Sequence, residues 1–242
     1  GEPFINTPLK ISKSSYKSQL SGKTKYSDPQ GLDLLRKKIS KSYKENHKLI
    51  LNHKNFVITA GAKMALFLAM DSILNSKDEI IFFRPCYPAY SGLFKYFKNT
   101  KKIKTKYLDV DENFDFDIKK LNKLITHKTK AVVLNYPNNP TGKILTKDFI
   151  HKLVFNLAKK DIWILSDEVY EYIISKNEKF YPMISQNKNI KKIITISGFS
   201  KTYSMTGWRV GYMHSFDEDL LNKIIRRNQL LLTNIPEFIQ YA

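Results

Sequence analysis

Short apolar runs recur along the chain, and most are followed by a loop and then by a helical pattern. Runs of four or five apolar, mainly β-branched or aromatic residues between turn residues are typical of buried strands. These runs predict strands at 56–60, 80–83, 131–134, 162–165, 193–196 and 210–214. The spacing of apolar residues predicts helices at 32–43, from Gly61 onward, at 217–232 and from Ile235 onward.

The alternation of strands with helices predicts a three-layer α/β fold, in which helices flank a mostly parallel sheet. Polar residues that could bind a ligand or take part in catalysis follow three of the predicted strands, namely Asn139, Asp167 and Lys201. Ligands of open α/β sheets bind in the crevice outside the carboxyl ends of the strands. We therefore expect these three chain-distant residues to converge on one binding site.

The composition is that of a globular chain, because 42% of its 242 residues are hydrophobic, enough for one large domain. No run of about 18 apolar residues occurs, so we expect no membrane association. The single cysteine, Cys86, cannot pair within the chain, which favours a reducing cytoplasm. The first residues lack both a signal-peptide pattern and an initiator methionine, which indicates a processed chain or a fragment.

The formal net charge is +19, and lysine supplies nearly all of the excess. Proteins that read nucleic-acid sequence concentrate basic residues on one face and use Arg at base edges, whereas here the lysines are scattered. We therefore expect no specific nucleic-acid partner, and only weak, salt-sensitive binding to polyanions. The densest lysine cluster, 98–106, predicts a solvated edge strand.

The candidate chemistry centres on Lys201, which follows the predicted strand 193–196. Lysine is the side chain whose primary amine forms an imine with an aldehyde. Arg209 follows eight residues later, and its planar guanidinium suits a phosphate. The string from Ser200 to Gly211, S-K-x-x-x-M-T-G-W-R-x-G, resembles the lysine segment of the class I/II aminotransferases, which are fold-type I pyridoxal-phosphate (PLP) enzymes. The resemblance is strongest to the bacterial aspartate aminotransferase branch and covers nearly the whole chain.

The resemblance implies a set of residues around the cofactor's aldehyde and phosphate. Lys201 would form the Schiff base with PLP, and Arg209 would hold the phosphate. The turn formed by Gly61, Ala62 and Lys63 would add backbone N–H groups at a helix start, where anions bind well. Many family members have a phosphate-binding serine where this chain has Gly198, so Ser200 or a backbone amide would replace it.

The resemblance also implies contacts to the cofactor's ring. Tyr87 would stack on the ring, and Asn139 in P-N-N-P-T-G would reach both the phenolic oxygen and the substrate carboxylate. Asp167 in D-E-x-Y would pair with the ring nitrogen, and Tyr170 would donate to the phenolic oxygen. A carboxylate there favours the protonated ring, which is the better electron sink. Taken without the family, Asp167 is also compatible with a helix cap and Tyr87 with loop packing.

Two further segments match the family near the start of the chain. The string G-E-P-x-x-x-T-P implies that Gly1 lies near the substrate carboxylate, although by itself it is a proline-rich turn. Tyr26 matches a tyrosine that reaches across a homodimer to the partner's cofactor, or it packs on its own loop. We predict an N-terminal active-site loop segment over 1–12 and a large PLP-binding domain over 13–242. The family's C-terminal small domain, which carries the arginine for the substrate carboxylate, has no counterpart in the sequence.

The resemblance therefore predicts a PLP-dependent aminotransferase, which moves an amino group from an amino acid to a 2-oxo acid. The implied catalytic residues are Lys201, which would transfer the α-proton, together with Asp167 and Tyr170, and no metal is implied. Two alternatives stay open. One is a PLP lyase or synthase of the same fold, and the other is a non-catalytic regulator domain that binds PLP.

Overall fold

The computed structural model describes residues 2–185 and 190–242, and it divides into two compact units. Unit 1 comprises Gly1–Leu68 and Ile196–Ala242, and unit 2 comprises Ala69–Thr195. The helices are α1 (Leu9–Leu20), α2 (Asp33–His47), α3 (Ala62–Ile73), α4 (Tyr90–Lys101), α5 (Ile118–Leu124), α6 (Lys147–Ala158), α7 (Glu218–Leu232) and α8 (Glu237–Gln240). The strands in the described ranges are β1 (Phe56–Thr59), β2 (Glu79–Arg84), β3 (Lys104–Asp109), β4 (Thr129–Asn135), β5 (Trp163–Asp167), β6 (Ile193–Gly198) and β7 (Gly211–Ser215).

Unit 2 contains a parallel sheet whose strands β2, β4 and β5 are almost wholly buried, whereas the edge strand β3 is largely exposed. The order is β5-β4-β2-β3, with the first half of β6 next to β5. β4 pairs with β5 in parallel so that Asn135 lies opposite Asp167, the last residue of each strand. Since the carboxyl ends of parallel strands meet at one edge, the residues after β2, β4 and β5 are brought together. Strands buried on both faces explain the continuous apolar runs in the sequence.

Unit 1 contains the second half of β6, followed in the sheet by β7 and then β1. β1 and β7 are antiparallel, with Phe56 opposite His214 and Thr59 opposite Gly211. This register places the start of β7 beside the end of β1, where α3 begins. The predicted α/β class, a mostly parallel sheet flanked by helices, is confirmed.

One local prediction is wrong in part. The lysine-rich stretch 98–106 begins inside α4, which continues to Lys101, and strand β3 starts at Lys104. Lys102 ends the helix in a left-handed conformation with φ of 58°. The pattern of apolar residues does not predict this helix end. β3 does lie at the edge of the sheet, as predicted, and pairs with β2. Helix α1 begins at Leu9, within the segment 1–12 predicted as a loop, and the boundary at residue 12 stays a prediction.

His214 is a buried histidine in the core of unit 1. Its ring packs edge-on against Phe56 at 4.6 Å and Phe216 at 5.0 Å between centroids. Among the described residues, neither ring nitrogen has a hydrogen-bond partner. Burial lowers the pKa of His214 to about 3, because the charged imidazolium would lose its hydration. The side chain therefore acts as a neutral core residue at physiological pH.

We expect His214 to make the protein acid-sensitive. Between about pH 6.5 and pH 3 the unfolded state binds a proton that the folded state does not, so stability falls as pH falls. At about 1.4 kcal/mol per pH unit, the contribution of His214 alone to the free energy of unfolding should drop by roughly 2 kcal/mol from pH 7 to pH 5. Urea titrations at both pH values should show that His214→Leu removes most of this drop and that exposed His127→Leu does not. An unchanged drop in His214→Leu would contradict this account.

No helix within residues 2–185 and 190–242 has both the length and the apolar character needed to cross a membrane.

Candidate functional site

In unit 1, the guanidinium of Arg209 lies against the turn between β1 and α3. Its Nη2 donates to Ala60 O at 3.3 Å, and its Nη1 donates to Thr206 O at 2.8 Å. Gly61 allows this approach, because a Cβ there would lie 2.6 Å from Arg209 Nη2 and the Gly61 φ is +82°. The Arg209 guanidinium thus lies next to the start of α3, and the two together are suited to bind a phosphate.

Close backbone packing holds this turn against the neighbouring strands of unit 1. A Cβ at Gly211 would lie 2.7 Å from Ala62 N, and a Cβ at Gly198 would lie 3.2 Å from Gly211 Cα. Gly198 is the position where many family members have serine. Its crowding favours glycine here, and Ser200 or a backbone amide stays the predicted donor to a phosphate in place of that serine.

Lys201 lies in the loop between β6 and β7, which is folded into successive turns. Tyr203 N donates to Phe199 O at 3.1 Å, and Met205 N donates to Ser200 O at 3.1 Å. Lys201 and Ser200 are both half-buried. The loop therefore places Lys201 on a turn three residues beyond Gly198, the last residue of β6, rather than on a long helix.

The N-terminal segment is attached to this same loop. Thr7 Oγ1 donates to Ser204 O at 2.6 Å and accepts from Trp208 Nε1 at 3.0 Å. Thr206 Oγ1 donates to the Glu2 carboxylate. These bonds fix residues 2–7 across the stretch that separates Lys201 from Arg209. The predicted substrate contact, Gly1, lies outside the described residues.

In unit 2, Asp167 is a buried carboxylate at the carboxyl end of β5. Its Oδ2 accepts a hydrogen bond from the Tyr90 hydroxyl at 2.6 Å, and its Oδ1 accepts one from Val169 N at 3.3 Å. The residues after Asp167 form turns and no helix, so Asp167 is not a helix cap. The Tyr90 bond is charge-assisted when Asp167 is ionised, which makes it one of the stronger bonds in the unit.

Asn139 and Tyr170 meet beside Asp167. Asn139 Nδ2 donates to the Tyr170 hydroxyl oxygen at 3.2 Å. Asn135 ties the group together, because its Nδ2 donates to Asp167 O at 3.1 Å while its Oδ1 accepts from Asn139 N at 2.9 Å. Burial raises the pKa of Tyr170, and the nearby Asp167 acts in the same direction. Tyr170 therefore keeps its proton at neutral pH and can act as a donor.

The predicted stacking residue, Tyr87, belongs to the same edge of unit 2. Its half-buried ring meets the Tyr90 ring edge-on, with 5.5 Å between centroids and an interplanar angle of 84°. The Tyr87 carbonyl also accepts from Tyr90 N at 3.0 Å. Tyr90 therefore contacts both the aromatic residue and the carboxylate that the family resemblance assigns to the cofactor ring.

Glu168 is a second buried carboxyl, next in sequence to Asp167. Its Oε1 accepts from Ser166 Oγ at 2.8 Å and from Met183 N at 2.9 Å. Burial raises the pKa of Glu168 far above its usual range despite these bonds, and the carboxylates of Glu171 and Asp167 add to the effect. This environment favours the neutral, protonated form of Glu168 beside Asp167.

We expect Glu168 to lower stability as pH rises. Above its ordinary pKa of 4.5 the unfolded state loses a proton that the folded state keeps, so the free energy of unfolding falls with pH. The slope from this group is at most about 1.4 kcal/mol per pH unit. Glu168→Gln, which keeps the shape without titrating, should therefore gain stability relative to the parent as the pH goes from 5 to 7 in urea titrations. Exposed Glu112→Gln should not, and equal slopes in the two variants would refute the assignment.

The structure sorts the predicted site residues into two groups. Unit 1 holds Gly61, Ala62, Lys63, Ser200, Lys201, Arg209 and Tyr26, whereas unit 2 holds Tyr87, Asn139, Asp167 and Tyr170. Within unit 1, Arg209 and the turn at Gly61 are in contact, and the Lys63 side chain is exposed. Tyr26 is 86% exposed and lies beside a groove of about 700 Å³ lined by residues of 24–26 and 232–238.

Sequence reasoning missed Tyr90, Asn135, Thr7 and Trp208. Asn135 is the first residue of the string N-Y-P-N-N-P-T-G, and Trp208 and Thr7 lie inside the two other family motifs. The sequence therefore places all three residues in motifs. Their roles as connectors depend on contacts between distant parts of the chain. Tyr90 gave the weakest signal, because a tyrosine three residues after Tyr87 also fits the apolar face of a helix.

The fold and these motifs agree with the comparison to known proteins. The family model described as aminotransferase class I and II matches residues 6–242, and the chain belongs to this family. The structure superposes on that of an aromatic aminotransferase from Pyrococcus horikoshii with a TM-score of 0.93 and 28% identity, covering 100% of this chain and 64% of the other.

Two curated relatives give the same picture. The chain is 37% identical over 243 residues to (5-formylfuran-3-yl)methyl phosphate transaminase of Methanocaldococcus jannaschii, covering 100% of this chain and 61% of that protein. It is 35% identical over 218 residues to aspartate aminotransferase of Thermotoga maritima, covering 90% of this chain and 57% of that protein. The chain thus spans about three fifths of the length of these relatives.

Proposed function

We propose that this chain is the cofactor-binding part of a PLP-dependent aminotransferase, which moves an amino group from an amino acid to a 2-oxo acid. The observation that carries the proposal is the cluster around Asp167. It combines a buried carboxylate at a strand end with the Asn139–Tyr170 pair, and Asn135 ties the two together. A carboxylate, an amide and a protonated phenol are the groups that a ring nitrogen, a substrate carboxylate and a phenolic oxygen require.

The residues of unit 1 fit the remaining parts of PLP. The turn at Gly61, which a Cβ would fill, and the Arg209 guanidinium suit a phosphate, and Ser200 would add a hydroxyl. Lys201 supplies the primary amine, so we propose it as the point of covalent attachment through a Schiff base. That both groups of residues serve one cofactor is inferred from the family motifs.

When bound, PLP supplies an aldehyde that bonds to amines and a ring that accepts electrons. The chain's own residues would then do the following. Asp167 holds the ring nitrogen in its protonated form, and Tyr170 donates to the phenolic oxygen. Lys201 Nζ takes the α-proton of the amino acid and returns it as a general base and acid. Asn139 orients the substrate carboxylate, and Gly1 belongs to the loop proposed to lie near it.

We further propose a homodimer in which Tyr26 reaches the partner's cofactor. The support is the 86% exposure of Tyr26 and the exposed leucines at the end of α7, Leu230, Leu231 and Leu232. Large apolar side chains grouped on a surface favour association. A reducing, cytoplasmic location is proposed on the single cysteine, Cys86.

A donor screen on the full-length protein tests the proposed function. The protein is loaded with PLP and mixed with single amino acids, aspartate and aromatic ones first, and the change in cofactor absorbance is recorded before 2-oxoglutarate is added. We expect one donor class to convert the cofactor to its amine form and 2-oxoglutarate to reverse the change. Ammonia release without a need for a 2-oxo acid would indicate a lyase. Tight PLP binding without any turnover would indicate a regulator domain.

A further inference from the structure

We propose that Tyr90 is a positioning residue for the reaction, which sets both the carboxylate and the aromatic ring that face the cofactor. The inference rests on the proposed function and adds a residue to it. Tyr90 is the first residue of α4 and is 3% exposed. Its hydroxyl donates to Asp167 Oδ2 at 2.6 Å, and its ring supports Tyr87 edge-on at 5.5 Å.

The position of Tyr90 is fixed from several sides. Its ring lies 5.9 Å from that of Phe82 on β2 and 6.3 Å from that of Phe94 on α4. Its backbone N–H is held by Tyr87 O at 3.0 Å. A buried ring packed in this way has little freedom, so the direction of its hydroxyl is set by the fold and not by the ligand.

The hydroxyl of Tyr90 is suited to be a permanent donor. Burial raises the pKa of Tyr90 well above its ordinary value, and the neighbouring Asp167 acts in the same direction. Tyr90 therefore keeps its proton at any working pH, and Asp167 must be the acceptor. The bond fixes Oδ2, while the Val169 N–H lies at Oδ1, so the rotation of the carboxylate about its last bond is determined.

This arrangement has a functional consequence. A carboxylate that must meet a ring nitrogen needs both a fixed direction and a stabilised negative charge. Tyr90 provides both through one hydrogen bond. Its edge contact with Tyr87 also fixes the position of the aromatic residue proposed to stack on the cofactor ring. A purely structural tyrosine would satisfy its hydroxyl without affecting the protonation of a bound ligand.

The first experiment needs no cofactor. Carbon-13 NMR of the full-length protein with labelled aspartate carboxyls, assigned through Asp167→Asn, reports the environment of Asp167. Tyr90→Phe keeps the ring and removes the hydroxyl, so the Asp167 resonance should move. Tyr136→Phe removes another buried tyrosine hydroxyl of unit 2, beside Phe116. This variant should leave the Asp167 resonance unchanged. An unmoved Asp167 resonance in Tyr90→Phe would overturn the proposal.

The second experiment uses the protein loaded with PLP that carries nitrogen-15 in its ring. In Tyr90→Phe we expect a smaller protonated fraction of the ring nitrogen and about 10- to 100-fold slower exchange of the substrate α-proton, the loss typical of a hydrogen bond to a charged group. Tyr136→Phe should match the parent in both. If the parent binds PLP and Tyr90→Phe shows the same protonated fraction and the same exchange rate as the parent, the proposed positioning role is wrong. If the parent binds no PLP at the Asp167 cluster, the proposed function fails and the role of Tyr90 in it fails too.

Discussion

Replacing Lys201 by arginine should abolish amino transfer in the full-length protein, with a loss of about 10⁴-fold or more in the half-reaction rate. Arginine keeps a positive charge on the same turn, but it has no primary amine for an imine and does not give up its proton. The loss would therefore come from chemistry and not from charge. The measurement is the rate at which a good amino donor changes the cofactor absorbance in single-turnover mixing.

Two comparisons make the result specific to Lys201. Lys201→Ala should lose as much activity as Lys201→Arg, because the amine is what matters. Lys98→Ala, which removes an exposed lysine of α4, should react at the parental rate. The account would be contradicted if Lys201→Arg kept more than a tenth of the parental rate with undiminished PLP binding.

Replacing Asp167 by alanine should slow abstraction of the α-proton by about 10³-fold or more while the cofactor still attaches to Lys201. The physical reason is that the ring nitrogen loses the negative charge that keeps it protonated, so the ring accepts electrons poorly. Exchange of the substrate α-hydrogen for deuterium, followed by proton NMR, measures this step without requiring product formation.

The matched control for Asp167 is Asp109. It also ends a parallel strand of unit 2, but its carboxylate is exposed and forms a bidentate pair with Arg84 at 2.7 and 2.9 Å. Asp109→Ala should leave deuterium exchange unchanged, because a surface ion pair contributes little and faces no ligand. Near-normal exchange in Asp167→Ala would mean that Asp167 only stabilises the turn at Val169.

Most of the fold could be predicted because all of its described strands except β3 are buried on both faces. The runs 131–134 and 193–196 consist of apolar residues and one buried threonine, Thr195, and they mark β4 and β6 to within two residues. The stretch 98–106 was harder, since the helix and the strand there share one lysine-rich surface and differ only in backbone conformation at Lys102. The antiparallel pairing of β1 with β7 also left no mark on the pattern of apolar residues.

The candidate site was predictable to the extent that its residues lie in ordered motifs at strand ends. The structure brings Asn139, Tyr170 and Asp167 together, because β4 and β5 are parallel neighbours that end level with each other. The connectors Asn135 and Tyr90 could not be predicted, because each acts through a hydrogen bond to a residue far away in the sequence. Such bonds depend on the tertiary structure and not on the local spacing of apolar residues in the sequence.

The most direct test of the central claim is to trap the bound cofactor and find its point of attachment. The full-length protein is loaded with PLP, reduced with borohydride, digested and mapped by mass spectrometry. We predict that the reduced pyridoxyl group is found on the peptide that contains Lys201 and nowhere else in stoichiometric amount. A label on Lys63, the exposed lysine in the first turn of α3, or no labelled lysine in a protein that holds PLP, would contradict the account.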